Sequence, residues 1–329
     1  MDEGVNVYRL KQRIYKGLTW YFNYKSINNK LNELNSNQPI DIVETSELGL
    51  AFIKKQPTVK HIIRLHGGHH FFAESENRGI NFWKGFQEKR SFKKADAFIA
   101  VSEFVKSHTA KYLTYHNKKI DIIKNPINLE IFKPRKEIKI LEDTILFAGT
   151  VCEKKGVKFL ILAMKIVLAS YSNIKLVIYG RDWFFKDGRS YIQYLKEEII
   201  PTLGKFSKHI IFKGSVSYEE LATKYASAKL CVFPSLMETQ GLVAPEAMAM
   251  KKTVIFSNIG PGPETIQHKK TGLLCNPYDS NNIAENIIWC IENKKKCNDI
   301  EILAREFVLQ TFNAQKIVAS NLEFYNSIL

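Results

Sequence analysis

Short apolar runs and longer segments of helical spacing alternate along the chain. The short runs are bounded by glycine, proline or charged residues, which is typical of buried strands. The longer segments carry apolar residues three and four positions apart, which is typical of amphipathic helices. This alternation predicts an α/β protein with doubly wound sheets. Strands are expected at 41–43, 61–65, 97–101, 120–124, 144–148, 174–179, 210–213, 230–233 and 252–257, and helices at 47–55, 104–112, 157–169, 218–226, 283–295, 301–309 and 312–325.

The first part of the chain combines helical spacing with aromatic and basic residues. Apolar residues recur at helical intervals over 8–34, so one or two amphipathic helices are predicted there. The aromatic residues can either form a face for a membrane surface or pack on a sheet while the lysines are solvated, and the second alternative is favoured. The candidate membrane face consists of Tyr15, Trp20, Tyr21, Phe22 and Tyr24.

The composition is that of a folded protein without a membrane-spanning segment. A chain of 329 residues, of which 45% are hydrophobic, is long enough for two domains. No apolar run approaches the roughly 20 residues of a membrane helix, and the first residues lack the pattern of a signal peptide. A cytoplasmic location is therefore predicted. The five cysteines are scattered without C-x-x-C spacing, which indicates neither a disulfide framework nor a zinc site.

The formal net charge of +15 predicts an anionic partner. Nucleic acid is not expected, because the basic residues are spread over both halves and no RNA- or DNA-binding motif accompanies them. Acidic lipid headgroups are the better candidate, since each basic residue near such a surface contributes about 1 kcal/mol. An anionic membrane surface is therefore a candidate partner, and the inner face of the membrane is a candidate location.

Two glutamates eight positions apart, Glu238 and Glu246, bracket a glycine turn that leads into a helix-forming run. If a helix begins near Pro245, Glu246 lies in its first turn and Glu238 lies in the loop before it. Both carboxylates then border backbone N–H groups, so one place can accept the hydroxyls of a sugar diol and also bind phosphate. A nucleotide-sugar has both groups. In the alternative interpretation, Glu246 only complements the helix dipole and Glu238 is a solvated loop residue.

The surroundings of this pair resemble family 4 of the retaining glycosyltransferases. The family signature consists of a strand, Pro-Ser, Glu, Gly-Leu, Glu-Ala-Met-Ala, a second strand and a turn with Pro-Glu. This chain carries these motifs in the same order over 234–249 and 260–264. The resemblance implies the GT-B fold, in which two Rossmann-like domains face a cleft. It implies neither a metal nor another cofactor.

The resemblance also implies roles for residues on both sides of the cleft. Glu246 would hold the ribose diol, while Glu238 and the amides of Gly241 and Leu242 would hold the donor sugar and its phosphate. His66, which follows a strand of the first domain, would contact the transferred sugar. His66, Glu238 and Lys155 are the predicted catalytic residues, and Gly149, Thr150, Lys155 and Gly214 complete the predicted donor-binding set.

The predicted phosphate loop before the helix at 157 departs from the family pattern at one position. The family carries Gly-Arg followed by Lys-Gly, and the two cations neutralise the diphosphate. Lys155 is kept, whereas Thr150 stands where the family has arginine. The site is therefore expected to lack one charge, for which Lys154 would compensate in part. The segment 181–189 matches no pattern.

Three segments are predicted along the chain. Residues 1–131 would form the acceptor-side Rossmann-like domain, 132–311 the nucleotide-sugar-binding domain, and 312–329 a helix that crosses back to the first domain. The first domain is then shorter than the second. Family members begin with a buried strand and a glycine-rich loop, whereas the first residues here resemble the approach to a later strand. The N-terminal domain is therefore expected to be incomplete and to lack its first strand.

The resemblance implies transfer of a hexosyl group from a nucleoside diphosphate sugar to a glycan or lipid-linked glycan, with retention of configuration, in surface polysaccharide biosynthesis. Retention by a front-face path needs no carboxylate nucleophile, so none is assigned. One alternative is a degenerate paralogue that binds nucleotide-sugar without turnover. The absence of the first strand and the presence of Thr150 in place of arginine would favour this alternative. Another is an inverting transferase on the same fold, which needs a carboxylate or histidine base in the first domain.

Overall fold

The structure, a computed structural model of the chain, describes residues 4–76 and 78–329 and contains two parallel sheets flanked by helices. The first sheet and its helices comprise α1 (Thr19–Asn37), β1 (Ile42–Thr45), β2 (Lys60–Leu65), α2 (His69–Ser75), α3 (Phe82–Lys94), β3 (Ala97–Ala100), α4 (Glu103–Ala110) and β4 (Ile120–Ile122). The second sheet and the helices after it comprise β5 (Leu141–Ala148), α5 (Val157–Ser170), β6 (Lys175–Tyr179), α6 (Tyr191–Tyr194), β7 (Ile210–Gly214), α7 (Tyr218–Ser227), β8 (Ala228–Phe233), α8 (Val243–Ala249), β9 (Thr253–Ser257), α9 (Gly262–Thr265), β10 (Leu273–Cys275), α10 (Ser280–Glu292), α11 (Lys294–Thr311) and α12 (Ala314–Asn326). Shorter helical segments occupy Glu153–Lys155, Leu195–Ile199 and Ile200–His209.

The strand order of the second sheet creates a crevice between β5 and β8. The sheet runs β10-β9-β8-β5-β6-β7, and all its strands are parallel. The chain adds β6 and β7 on one side of β5 and then returns to add β8, β9 and β10 on the other side. The loops after β5 and β8 therefore diverge at the carboxyl edge of the sheet. Open α/β sheets bind their ligands at such a switch point.

Helices cover both faces of the second sheet. Every residue of β9 is buried, as expected for a parallel strand between two helical layers. Helix α5 buries Val157, Leu160, Ile161 and Met164, whose spacing of three and four places them on one face. These side chains belong to one large apolar core with the strands, so the carboxyl edge of β5 is held on a rigid support.

The last helix packs against the first sheet, whose order is β1-β2-β3-β4. Ile317 and Phe324 of α12 are buried in one cluster with Ile62 of β2. Arg64 Nη2 donates a hydrogen bond to Asn321 Oδ1 at 2.6 Å. Helix α12 thus ties the end of the chain to the first sheet.

Every predicted strand is present, and β10 is an additional strand that no pattern predicts. The predicted helix at 47–55 is wrong. Residues 47–52 form successive turns instead, in which Gly49 N–H donates to Ser46 O at 2.9 Å. A Cβ at Gly49 would lie 2.5 Å from Thr45 Cβ. Glycine therefore allows this turn to pack closely against the end of β1, and the turns take the place of the predicted helix.

The helical prediction for 8–34 is correct only from Thr19 onward. Gly17 adopts a left-handed φ of +76°, which interrupts a continuous helix. Ile14 is 79% exposed, so the residues before Gly17 lack the packing that stabilises short helices. The expectation that a strand and a glycine-rich loop are missing in front of the first sheet stays a prediction.

Candidate active site

The loop between β5 and α5 forms one wall of the crevice at the switch point. It contains a short 3₁₀ turn, Glu153–Lys155, that ends at Gly156 with a left-handed φ of +68°. A Cβ on Gly156 would lie 1.8 Å from the carbonyl oxygen of Pro234 in the loop after β8. Only glycine therefore permits the two loops to touch. Leu236 N–H fixes this contact by donating to Lys154 O at 2.8 Å.

Lys155 and Glu238 meet across the crevice. Lys155 Nζ donates to Glu238 Oε1 in an ion pair, and Ser235 Oγ donates to the same oxygen at 3.0 Å. The two side chains retain 21% and 12% exposure, so a ligand in the crevice can reach both. The pair holds an ammonium and a carboxylate in fixed positions beside each other, where they can bind an anion and a hydroxyl.

Three glycines lie side by side where β5, β6 and β7 end. Gly149 N–H donates to Tyr179 O at 3.0 Å, and Gly180 N–H donates to Gly214 O at 2.9 Å. A Cβ on Gly180 would lie 1.8 Å from Gly149 O, so the strand ends approach more closely than other residues allow. Gly149 and Gly214, both predicted from sequence, therefore lie on the same edge of the sheet.

The loop after β8 turns sharply before α8. Gly241 has a φ of +71°, and a Cβ there would lie 2.5 Å from the ring of Phe256. Leu242 follows as the N-cap of α8 and provides no side-chain cap. The predicted glycine turn is thus confirmed, and its two amides lie where the helix begins.

Glu246 lies in the first turn of α8, as predicted, but its carboxylate is buried and only 5% of the residue is exposed. The carboxylate accepts hydrogen bonds from Tyr218 Oη at 3.1 Å and Tyr225 Oη at 3.4 Å. Burial raises the pKa of Glu246 to about 7, against the opposing effect of the two phenols. A carboxyl group held in such a costly position is a candidate for a functional role.

His66 is exposed at the end of β2, on the side of the first sheet. Its neighbour Gly67 lies against the loop after β8, because a Cβ there would be 2.7 Å from Thr239 Cγ2. Partial desolvation and then the positive charge of Arg64 lower the pKa of the His66 imidazole. Both effects favour the neutral imidazole, and the loop that carries His66 contacts Thr239, the residue that follows Glu238.

Two buried carboxylates shape the histidine loop, and no sequence pattern pointed to either. Glu47 accepts the N–H of His66 at 2.6 Å. Glu88 accepts the N–H groups of His69 and His70, both at 2.9 Å, and also contacts His70 Nδ1. Burial, and to a smaller extent the charge of Glu88, raise the pKa of Glu47 to about 7. His69 and His70 are therefore engaged in shaping the loop.

The two sides of the cleft are hydrogen-bonded to each other. Ser102 Oγ donates to Thr239 O at 2.6 Å, and Ser102 is also the N-cap of α4. The Glu264 carboxylate accepts the N–H groups of Glu103 and Phe104, each at 2.8 Å. The donor-side loops thus contact the first turn of α4 directly.

A cavity of about 180 Å³ lies between these loops, and it unites only part of the predicted site. Thr150, Lys155 and Glu238 line it, whereas His66, Gly214 and Glu246 do not. Arg181 also lines it, and sequence reasoning missed this residue because no motif covers 181–189. The lining of the cavity consists of Phe72, Thr150, Lys154, Lys155, Arg181, Trp183, Met237, Glu238 and Thr239. Across the described ranges 4–76 and 78–329, no cluster of three or more histidine, cysteine or acidic residues could hold a metal ion.

Comparison with known proteins identifies relatives that cover most of the chain. A relative from Methanocaldococcus jannaschii, described as an uncharacterized glycosyltransferase, is 29% identical over 301 residues, which cover 85% of this chain and 74% of the relative. Sucrose-phosphate synthase from Thermosynechococcus elongatus has the same fold, with a TM-score of 0.80 and 22% identity over 95% of this chain and 79% of that one. Anabaena HepE, solved in complex with UDP and glucose, superposes with a TM-score of 0.78 and 18% identity, covering 96% and 84%.

Two family descriptions match consecutive parts of the sequence. Glycosyltransferase Family 4 matches residues 2–131, and Glycosyl transferases group 1 matches residues 130–307. The second match spans more than half of the chain and contains the loops after β5 and β8. The chain is therefore a glycosyltransferase that belongs to the glycosyl transferases group 1 family and has the two-domain GT-B fold.

Proposed function

We propose that the protein transfers a hexosyl group from a nucleoside diphosphate sugar to a glycan or lipid-linked glycan acceptor, with retention, in surface polysaccharide biosynthesis. The observation that carries the proposal is the Lys155–Glu238 pair at the switch point between β5 and β8. A cation suits the diphosphate, and the adjacent carboxylate suits sugar hydroxyls. The complex of HepE with UDP and glucose supports the same class of donor.

The donor would lie along the carboxyl edge of the second sheet. Glu246 would accept the ribose hydroxyls, which would replace or extend its contact with Tyr218. The amides of Gly241 and Leu242 would donate to phosphate where α8 begins. Gly214 would lie near the nucleotide base. Glu238 would accept a hydroxyl of the transferred sugar, and the neutral imidazole of His66 would contact that sugar from the opposite side.

The proposed reaction needs no enzyme nucleophile. The acceptor oxygen forms a bond to the anomeric carbon on the face from which the diphosphate departs, while the bond from that carbon to the phosphate oxygen breaks. The acceptor proton passes to the departing phosphate oxygen. Lys155 and the hydroxyl of Thr150 would stabilise the negative charge that develops on the diphosphate, which is where such groups lower the barrier most.

Two alternatives from the sequence remain distinguishable by product analysis. A paralogue that only binds nucleotide-sugar predicts donor affinity without release of sugar. An inverting transferase predicts a product of inverted anomeric configuration and a base in the first domain, where His66 is the neutral candidate. Retention is proposed because the residues around Glu238 and Glu246 follow the retaining family pattern.

A screen of nucleoside diphosphate sugars for thermal stabilisation tests the proposed function. A donor at 100 times its dissociation constant is expected to stabilise the protein by about 2.7 kcal/mol, which a rise in melting temperature reports. The stabilising donor is then incubated with glycan acceptors, and proton NMR of the product determines the anomeric configuration. Failure of every donor to stabilise the protein, together with no transfer, would exclude the function.

We further propose that an anionic membrane surface binds the side of the first sheet that carries α1 and α3. Every helix within the described ranges is too short or too polar to span a bilayer. Trp20 and Tyr24 pack on Phe52, with ring centroids at 4.4 and 5.2 Å. These two aromatic residues therefore pack within the protein and do not form part of the exposed face. Phe82 is nevertheless 86% exposed, and Tyr21 is exposed as well. Basic residues of both helices, among them Lys25, Lys84 and Lys89, accompany this apolar surface.

Replacing Phe82 by serine is expected to weaken binding to vesicles of phosphatidylcholine and phosphatidylglycerol by about threefold to tenfold, because the ring then no longer enters the interface. Cosedimentation with vesicles measures the change. Ile302→Ser is the matched control, since Ile302 is an exposed apolar residue of α11. Equal binding by both variants, or equal binding to purely zwitterionic vesicles, would refute the membrane surface.

A further inference from the structure

Arg181 is held beside the predicted phosphate loop by backbone contacts. It directly follows Gly180, where β6 has ended, and its carbonyl oxygen accepts the N–H of Val151 at 2.9 Å. A parallel bridge between Val151 and Asp182 adds a second connection. The position of Arg181 is therefore set by the same loop that carries Thr150 and Lys155.

The guanidinium of Arg181 lies beside Thr150, the position at which the family pattern has arginine. Arg181 Nε approaches Thr150 Oγ1 at 3.4 Å, which is a weak hydrogen bond. Both residues line the cavity that also contains Lys155 and Glu238. The hydroxyl of Thr150 thus offers a polar contact to a cation that follows the end of β6.

The other charged groups near Arg181 are already engaged. Lys155 is paired with Glu238, and Lys154 Nζ lies over the Phe72 ring at 4.7 Å from its centroid. The adjacent Asp182 carboxylate accepts Trp183 N–H at 2.8 Å and Ile192 N–H at 3.0 Å. Arg181 itself makes no ion pair with any residue in 4–76 or 78–329.

We propose that Arg181 binds the diphosphate of the donor and supplies the charge that Thr150 does not. The inference rests on the proposed function and assigns a phosphate-binding residue outside the family motif. A guanidinium is suited to this task because its planar N–H groups can donate to two phosphate oxygens at once. Arg181 would thereby neutralise the leaving group together with Lys155, which is otherwise shared with Glu238.

The test compares Arg181→Gln with Lys186→Gln, which removes the same charge from an exposed position in the same loop. Calorimetry measures binding of uridine, guanosine and adenosine diphosphates and of the corresponding monophosphates. Arg181→Gln is expected to weaken binding of the preferred diphosphate by about tenfold or more, because a hydrogen-bonded charge pair is lost. Binding of the monophosphate is expected to change much less, and Lys186→Gln is expected to resemble the wild type.

A second measurement moves the positive charge from position 181 to position 150 and determines diphosphate affinity again. The double variant Thr150→Arg with Arg181→Gln is expected to recover most of the diphosphate affinity, because both positions line one cavity. Wild-type binding of a diphosphate with equal affinities in Arg181→Gln and Lys186→Gln would overturn the inference but leave the proposed function intact. A folded double variant that recovers nothing would also contradict it. Absence of diphosphate binding by the wild type would overturn both.

Discussion

A Lys155→Met variant is expected to lose about two to three orders of magnitude in kcat, which is the typical effect of removing one group that stabilises developing negative charge. Lys155 is the predicted cation of the crevice, and its Nζ already contacts Glu238. The substitution removes the cation and leaves the Glu238 carboxylate with only the Ser235 hydroxyl as a partner beside the diphosphate. Repulsion between the carboxylate and the departing phosphate then adds to the loss.

Initial rates of donor consumption at saturating donor measure this effect. Lys165→Met is the matched control, because Lys165 is an exposed lysine of α5, outside the crevice. Thermal unfolding of both variants separates a change in chemistry from a change in folding. If Lys155→Met and Lys165→Met had the same kcat, the assignment of Lys155 to the leaving group would be untenable.

A Glu246→Gln variant is expected to be more stable than the wild type above pH 7 and to bind nucleoside diphosphate more weakly. The pKa of Glu246 is raised from 4.5 to about 7 by burial, so the folded state favours the protonated carboxyl. The stability that this preference contributes is fully present below pH 4.5 and is lost as the pH rises through about 7. The loss amounts to about 3 kcal/mol for one such group. Glutamine has no charge to bury, so the Glu246→Gln variant does not lose this stability as the pH rises.

Denaturant unfolding at pH 5 and pH 8 measures the difference in free energy of unfolding, and calorimetry measures diphosphate binding. Glu47→Gln is the matched control, because burial also raises the pKa of Glu47 to about 7, whereas Glu47 bonds to the backbone of His66. Both variants are expected to gain stability at pH 8, but only Glu246→Gln is expected to lose affinity, by about tenfold or more as an acceptor of ribose hydroxyls is weakened. Equal affinities in the two variants would count against the ribose role of Glu246.

The loops at the switch point were predictable because their residues obey local rules. Gly241 and Gly149 mark positive φ values, and Glu246 precedes an apolar helical run. Ser102 and Ser217 directly precede α4 and α7, and each side chain accepts a backbone N–H of its helix, as is typical of a serine N-cap. Each of these signals lies within a few residues of the feature that it predicts.

The remaining parts of the site depend on contacts between distant segments. Arg181 reaches Thr150 only because β6 lies next to β5 in the sheet. Glu88 supports the histidine loop from α3, and no spacing within the loop points to α3. The burial of Glu246 by Tyr218 and Tyr225 likewise depends on how α7 packs on α8. Such contacts arise from tertiary packing, which a local pattern cannot encode.

The contacts between the two sides of the cleft bear on the construction of chimeric transferases. Glu264 bonds to backbone N–H groups of α4, and the Gln240 side chain bonds to the N–H of Asn125 at 2.9 Å and to its carbonyl oxygen at 3.0 Å. Thr239 contributes only its carbonyl oxygen to Ser102. Because these bonds end on main-chain atoms of α4 and Asn125, a chimera that joins halves of two relatives must retain Ser102, Gln240 and Glu264 but not the side chains at Glu103, Phe104 and Asn125. It must also preserve the contact of Lys154 with Phe72 and keep α12 with the first sheet.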